Sequence, residues 1–297
     1  MKPLDPCATS SDRTARRNPT ARLLLPRASM SGLLFAAIVR DTRAERLRAD
    51  ERYNCFPASP LCAVTWIFEG QLHLVDEAGA IDPVPLPRIH VSGPCPRPLV
   101  SWSAGPILAM SLGIYPDAWS ALTGTDAAKS MDRHVSLEVA LSAELFRIFR
   151  HVLEIGDCRD GLAVLQDQLE PLWRKARPKN DIASRRIGDW TRALVARAAV
   201  SGLGKSPRQI QRRIRAWTGQ TRRQLRLHAR VETLFARTRA ARSGLDLAKI
   251  AAEAGYSDQS HMGREVRRIT GESPARINRL IQTEERYWCY RLLGEGL

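Results

Sequence analysis

The sequence of 297 residues is poor in the features that mark several large protein classes. Its six cysteines (Cys7, Cys55, Cys62, Cys95, Cys158 and Cys289) form no CxxC pair. In a chain this long they read as free thiols in a reducing cytoplasm, not as a disulfide framework. No apolar run approaches the roughly 20 residues that a membrane-spanning helix needs. His73, His90, His134 and His151 fall into no HxH, HxxxH or HExxH spacing, so neither a metal nor another cofactor is expected. GxSxG, GxGxxG and P-loop runs are missing too, which argues against an enzyme.

What the chain does have is positive charge, unevenly placed. The formal net charge is +15. Residues 51–184 hold 12 Lys/Arg against 16 Asp/Glu, a net −4, whereas residues 185–286 hold 23 against 9, a net +14. A basic domain of that density attracts polyanions, nucleic acid first among them.

The chain divides into three regions and reads as α+β and multidomain. Residues 1–50 are the first region, of which residues 1–29 are rich in Arg, Pro, Ser and Thr. The pair Arg16-Arg17 and the apolar run Leu33–Val39 hint at an export signal, but the run is short and Arg40-Asp41 follows in place of a small-residue cleavage site. A disordered basic tail is therefore expected, with Met30 as the natural start. Residues 51–176 read as a β-rich domain with a helical extension. Leu61–Phe68, Gly70 and Leu72–Val75 suggest a hairpin, and Ile89–Val91, Leu99–Trp102 and Ile107–Ile114 are further strand candidates. Asp117 and Ser136 are candidate helix caps, the second for a helix running through Val152, and Leu162–Trp173 carries the helical period again. Residues 176–181 read as a linker, and residues 181–285 as an all-α domain.

Within that last domain the chain repeats itself at a shift of 52 positions. Ser206 falls on Asp258, and Ile210, Ile214 and Trp217 fall on Met262, Val266 and Ile269. Arg212 and Arg215 fall on Arg264 and Arg267, and Thr218-Gly219 on Thr270-Gly271. Each apolar triplet lies on one helical face with arginines on the other, and a glycine ends each helix. Ser206-Pro207-Arg208-Gln209 and Thr221-Arg222-Arg223-Gln224 are capping boxes. Asp246 can cap a helix over Leu247–Ala254, which Gly255 stops. A helix, a tight glycine turn and a second helix with a basic face make a helix-turn-helix, whose second helix fits a major groove. Between the two units, Thr221 to about Ala241 reads as one helix of about 30 Å, close to the ~34 Å between successive major grooves on one DNA face.

The run Ile250-Ala251-Ala252-Glu253-Ala254-Gly255-Tyr256-Ser257-Asp258-Gln259-Ser260-His261-Met262-Gly263-Arg264, followed by Thr270-Gly271-Glu272-Ser273-Pro274, resembles the signature of the AraC/XylS family of transcription regulators. Ser206 through Arg213 resembles its counterpart in the first unit. Met262 and Val266 stand where the family usually has Phe, and Gly202-Leu203-Gly204-Lys205 makes the first turn longer. The resemblance implies seven helices with two helix-turn-helix units. It places base-edge contacts at Arg208, Gln211 and Arg212, then at Ser260, His261 and Arg264, residue types able to bond guanine, adenine and other base edges. Gln209, Arg213, Gln259, Arg267 and Arg268 are expected on the DNA backbone or in caps.

Residues 53–122 also resemble the sensor half of some AraC-like regulators, through Pro57, Pro60, Leu61, Val64, Trp66, Phe68, Pro87-Arg88, Gly93, Arg97-Pro98-Leu99, Leu112-Gly113-Ile114-Tyr115-Pro116, Trp119 and Leu122. That likeness implies a domain like half of a cupin barrel, which binds a small molecule or mediates dimerisation. Trp66, Phe68, Trp102 and Trp119 are candidates for an apolar pocket or for plain core. The expectation is a cytoplasmic, sequence-specific DNA-binding transcription regulator under a small-molecule effector. Duplex DNA is its partner, with RNA polymerase and a second copy of the chain as further ones, and no membrane. The alternatives are a non-specific nucleoid-type binder and a cupin-like enzyme fused to a DNA-binding domain.

Overall fold

Among the described residues, eight short segments and a ninth three-residue strand form two antiparallel sheets. The computed structural model describes residues 20–178, 186–202, 206–240, 251–252, 255–256 and 258–292. The strands are β1 (Ala21–Leu24), β2 (Leu34–Asp41), β3 (Tyr53–Phe56), β4 (Cys62–Glu69), β5 (Leu72–Val75), β6 (Ile89–Ser92), β7 (Leu99–Ser103), β8 (Leu108–Ile114) and β9 (His134–Ser136). Six form a sheet in the order β1-β2-β8-β4-β6-β9, and three form a second in the order β3-β7-β5. Helices α1 (Pro116–Thr123), α2 (Leu137–Ala140), α3 (Ala143–Ile155) and α4 (Cys158–Ala176) complete this half. The β-rich, then helical, organisation expected from the sequence is the one observed.

Several local expectations are corrected. Order begins well before residue 50: β1 pairs with β2 from Ala21 opposite Arg40 to Leu24 opposite Ala37, and β2 pairs in turn with β8. The apolar run that hinted at an export signal is thus an interior strand, and Leu33, Leu34, Ala37 and Val39 are buried. Met30 itself is fully buried, and β1 lies upstream of it. Residues 1–19 of the expected tail lie outside the described residues. The expected hairpin of β4 and β5 is a crossover instead. Gly70, at φ +83°, turns the chain from the large sheet into the small one, where β5 pairs with β7. A Cβ at Gly70 would come within 2.4 Å of the Pro106 carbonyl oxygen, so only glycine fits that corner.

The helix expected from Ser136 to Val152 is broken. Leu141 is extended, and Ser142 restarts it by accepting a 3.4 Å bond from the Leu145 amide. Asp117 does not cap α1 but reaches the C-terminal half, as described below. Trp66 and Trp119 are core: both flank Phe149, with centroids 6.0 and 6.1 Å away, and the Trp66 indole donates to the Phe149 carbonyl at 2.7 Å. Full burial of such side chains contributes roughly 1.5–3 kcal/mol each.

The C-terminal half comprises α5 (Ile187–Val200), α6 (Pro207–Thr218), α7 (Arg222–Ala240), α8 (Gln259–Thr270), α9 (Pro274–Thr283) and α10 (Trp288–Leu292). It does not stand apart from the β-rich half. One core runs from Val64, Trp66 and Met110 through Tyr115 and Trp119 to Trp190, Leu194, Ile214 and Leu225. A second core, around Leu234, Met262, Val266, Ile277 and Leu280, holds the distal helices. Of the linker read over 176–181, Ala176 ends α4 and Arg177 is its C-cap, while residues 179–181 lie outside the described residues.

Candidate nucleic-acid interface

The 52-residue repeat is a repeat of geometry. In the first unit the Ser206 hydroxyl accepts from the Gln209 amide at 3.4 Å, and the Gln209 side chain accepts from the Ser206 amide at 3.3 Å, closing the expected capping box. In the second, Asp258 accepts from the His261 amide at 2.7 Å. Both helices then end alike. Thr218 and Thr270 donate to the carbonyls of Ile214 and Val266, at 2.8 and 2.9 Å, and each hydroxyl accepts from the amide two residues on at 3.1 Å. Gly219 and Gly271 adopt left-handed conformations, with φ of 72° and 79°, and donate to the carbonyls of Arg215 and Arg267. Two sequence stretches with little identity therefore present equivalent helices, α6 and α8.

The helix expected over Leu247–Ala254 lies largely outside the described residues. What is described fits its role. Ala251 is buried, Gly255 is left-handed at φ +83°, and the Gly255 and Tyr256 amides close the turn on the carbonyls of Ala252 and Ala251.

The exposed faces of α6 and α8 carry most of the expected contact residues. Arg208, Gln211 and Arg212 are exposed on α6, and Gln259, Ser260, Arg264, Arg267 and Arg268 on α8. Gln209 is taken up by its cap. Arg213 turns away from the exposed face, and its guanidinium donates to the Ala198 carbonyl of α5 at 2.8 Å. His261 is half-buried, with Nε2 3.2 Å from Glu265 and its ring edge-on to Tyr256. Glu265 is also held by Arg230 of α7, whose Nε lies 2.9 Å away. Opposite charges thus fix α8 on α7 beneath its exposed arginines.

The second unit sits along the flank of α7, where Leu227 and Val231 meet Ile269, and Leu234 meets Met262 and Val266. Helix length alone therefore does not set the separation of the two units, as the sequence suggested. Between them run two connected grooves of about 550 and 570 Å³. Arg222, Arg223 and Arg226 of α7 and Arg215 of α6 line them, together with His261 and Arg264. Sequence reasoning did not place these four arginines at the site. The density of arginine over Arg222–Arg226 was the available signal.

Among the described residues the thiols are held away from the thiolate. Burial pushes Cys55, Cys95 and Cys158 up to about 11 and Cys289 to about 12, toward the protonated, unreactive form. Among the described residues no group of three or more His, Cys, Asp or Glu is placed to hold a metal ion, and no helix is long and apolar enough to cross a membrane.

Residues 200–279 match the family described as "Helix-turn-helix domain". None of the curated proteins matches the chain. Among solved structures, the chain is similar to an apo variant of ToxT from Vibrio cholerae strain SCE256, at 11% identity over 83% of this chain and 96% of that one, with a TM-score of 0.40. ToxT from Vibrio cholerae O395 follows at 10% identity, 78% and 95% coverage and a TM-score of 0.38. Unsaturated fatty acid bound wild-type ToxT from strain SCE256 follows at 12% identity, 77% and 94% coverage and a TM-score of 0.37. By that family match, residues 200–279 of this chain are a helix-turn-helix domain.

Proposed function

We propose that this regulator reads two adjacent major-groove segments on one side of duplex DNA, through α6 and α8. Arg208, Gln211 and Arg212 read one segment, and Ser260 and Arg264 the other. His261 reads an edge only in so far as it lets go of Glu265. Arg267 and Arg268 grip phosphates, as do Gln259 and the arginines in the grooves between the units. The observation that carries this reading is the repeat itself. Two helices, each N-capped by a side chain and ended by the same glycine turn, present exposed arginines outward from one chain. Pure phosphate binding needs only Lys and Arg, and the mixture with Gln and Ser favours sequence reading over a nucleoid-type role.

The β-rich half is the effector-responsive part of this reading. A cavity of about 200 Å³ opens between its two sheets, lined by Arg40, Thr42, Arg46, Arg52, Asn54 and Ser103. RNA polymerase and a second copy of the chain are the further partners a cytoplasmic regulator would meet.

The experiment is selection of bound fragments from a random duplex library by the full chain at physiological salt. A motif with two half-sites about 10 base pairs apart is expected. Equal affinity for all sequences would establish the non-specific reading, and no binding would overturn the proposal.

A further inference from the structure

The segment linking β3 to β4 touches both reading heads at once. The Ala58 amide donates to the carbonyl of Ile269, in the last turn of α8, at 2.8 Å. Two residues on, the Pro60 carbonyl accepts from the Gln220 side chain, just past the glycine that ends α6, at 2.9 Å. Ala58 and Gln220 are both buried, so neither bond competes with bulk water. Nearby loops of the same half reach the two terminal glycines. Met131 and Ala128 lie against Gly219, and Pro98 lies beside Gly271.

Each head has a second tie to the β-rich half. For the first, Asp117 accepts from the Trp190 indole at 2.9 Å and from Arg197 at 2.5 Å. For the second, the chain beyond α9 returns to the sheets, where the Trp288 indole donates to Asn54 at 2.9 Å and Glu285 pairs with Arg40 at 2.7 Å. The bonds of Ala58 and Pro60 lie at the C-terminal ends of α8 and α6 and leave the exposed N-terminal turns clear.

We infer that the β-rich half is a brace that fixes the separation and phase of the two reading heads, and so determines the half-site spacing that the protein accepts. This rests on the two-headed reading proposed above. One inserted base pair moves a half-site by about 3.4 Å and turns it by about 34°. Heads joined by one helix could follow part of that displacement by bending at the joint. Heads clasped by a common domain cannot follow it without breaking buried hydrogen bonds. Ala58, Pro60 and Gln220 are in this sense positioning residues. They touch no base, yet they set which operators fit.

The test uses the full chain and the operator recovered by selection, with zero, one or two base pairs inserted between the half-sites. Wild-type protein should lose about tenfold or more in affinity at the first insertion. Gln220→Met and Trp288→Phe, singly and combined, keep the sites apolar-filled or aromatic while removing one tie to each head. They should leave affinity at the native spacing within about threefold and cut the insertion penalty below about threefold. An unchanged penalty in the folded variants would overturn the brace, as would a wild-type protein indifferent to spacing. If the variants do not fold, amide exchange in the wild type decides. The Ala58 amide stays as protected in the operator complex as in the free protein if the brace holds on DNA, and loses protection if the heads leave it. Failure to recover any motif would instead sink the two-headed reading, and the brace with it.

Discussion

The Trp288 indole nitrogen donates a 2.9 Å hydrogen bond to the side-chain oxygen of Asn54, a residue 234 positions earlier. Arg40 lies over the same indole at 5.0 Å, and Phe56 meets it edge-on at 5.6 Å. Trp288 lies beyond the matched helix-turn-helix segment, yet it is 2% exposed, so the last helix belongs to the fold of both halves. Trp288→Ala is expected to cost about 3–5 kcal/mol. Trp288→Phe keeps an aromatic ring but removes the indole N–H, orphaning the Asn54 acceptor, at about 1–3 kcal/mol for that bond. Urea unfolding of the two variants measures both costs. A Trp288→Ala cost under about 1 kcal/mol would mean that this helix is not docked.

Arg213 offers a separation of structure from recognition. Its bond to the Ala198 carbonyl ties α6 to α5, and the residue sits half-buried. Arg213→Ala should lower stability by about 1 kcal/mol and leave the salt dependence of DNA affinity unchanged. Arg267→Ala should do the reverse, reducing the slope of log K against log salt by nearly one while stability holds. A reduced slope for Arg213→Ala would return that residue to the DNA backbone, where the sequence alone had put it.

What was legible in the sequence followed from how local each signal is. The two heads were readable because N-cap residues, terminal glycines and the i, i+4, i+7 stripe are written within about a dozen residues, as Ser206–Gly219 and Asp258–Gly271 show. Strand β1 was not, because four residues among arginines and prolines become a strand only against a partner from residue 37 on. The same non-locality turned β5 away from β4: the residues around Gly70 announce a turn but not which strand waits on the far side. The surroundings of Arg213 and His261 were not legible for a related reason. Their position on the helix was correct, but Ala198 and Glu265 compete for their side chains, and that competition is tertiary. Glu232 carried no sequence signal at all.

That carboxylate predicts a pH dependence. Glu232 lies between α7 and α5, where burial raises its pKa to about 7, although the Ile187 amide donates to it at 3.1 Å. The unfolded chain ionises this group near 4.5, so between about pH 4.5 and 7 the folded state holds the extra proton. Stability from this group is therefore fully present at low pH and is lost as pH rises toward 7. Glu232→Gln keeps an acceptor for the amide and cannot ionise. The difference in unfolding free energy between variant and wild type should grow across that window to the order of 2 kcal/mol, then level off. Thermal unfolding of both proteins from pH 5 to 8 reads it, and parallel curves would show that the carboxylate reaches water.

Arg212 and Arg264 occupy equivalent positions in the repeat, both exposed. If each makes a bidentate contact with guanine, Arg212→Ala and Arg264→Ala should each cost about 1–3 kcal/mol on the selected operator and relax discrimination at one position of it. The two positions should differ, one in each half-site, because the helices are separate heads. The losses should add to within about 0.5 kcal/mol in the double variant, as distant sites do. Selection repeated with each variant distinguishes the roles. A motif degenerate at one position marks a base contact, whereas an intact motif at uniformly lower affinity marks a phosphate contact. Should Arg264→Ala degrade its half-site while Arg212→Ala leaves the other intact, the first unit positions the protein and the second alone specifies.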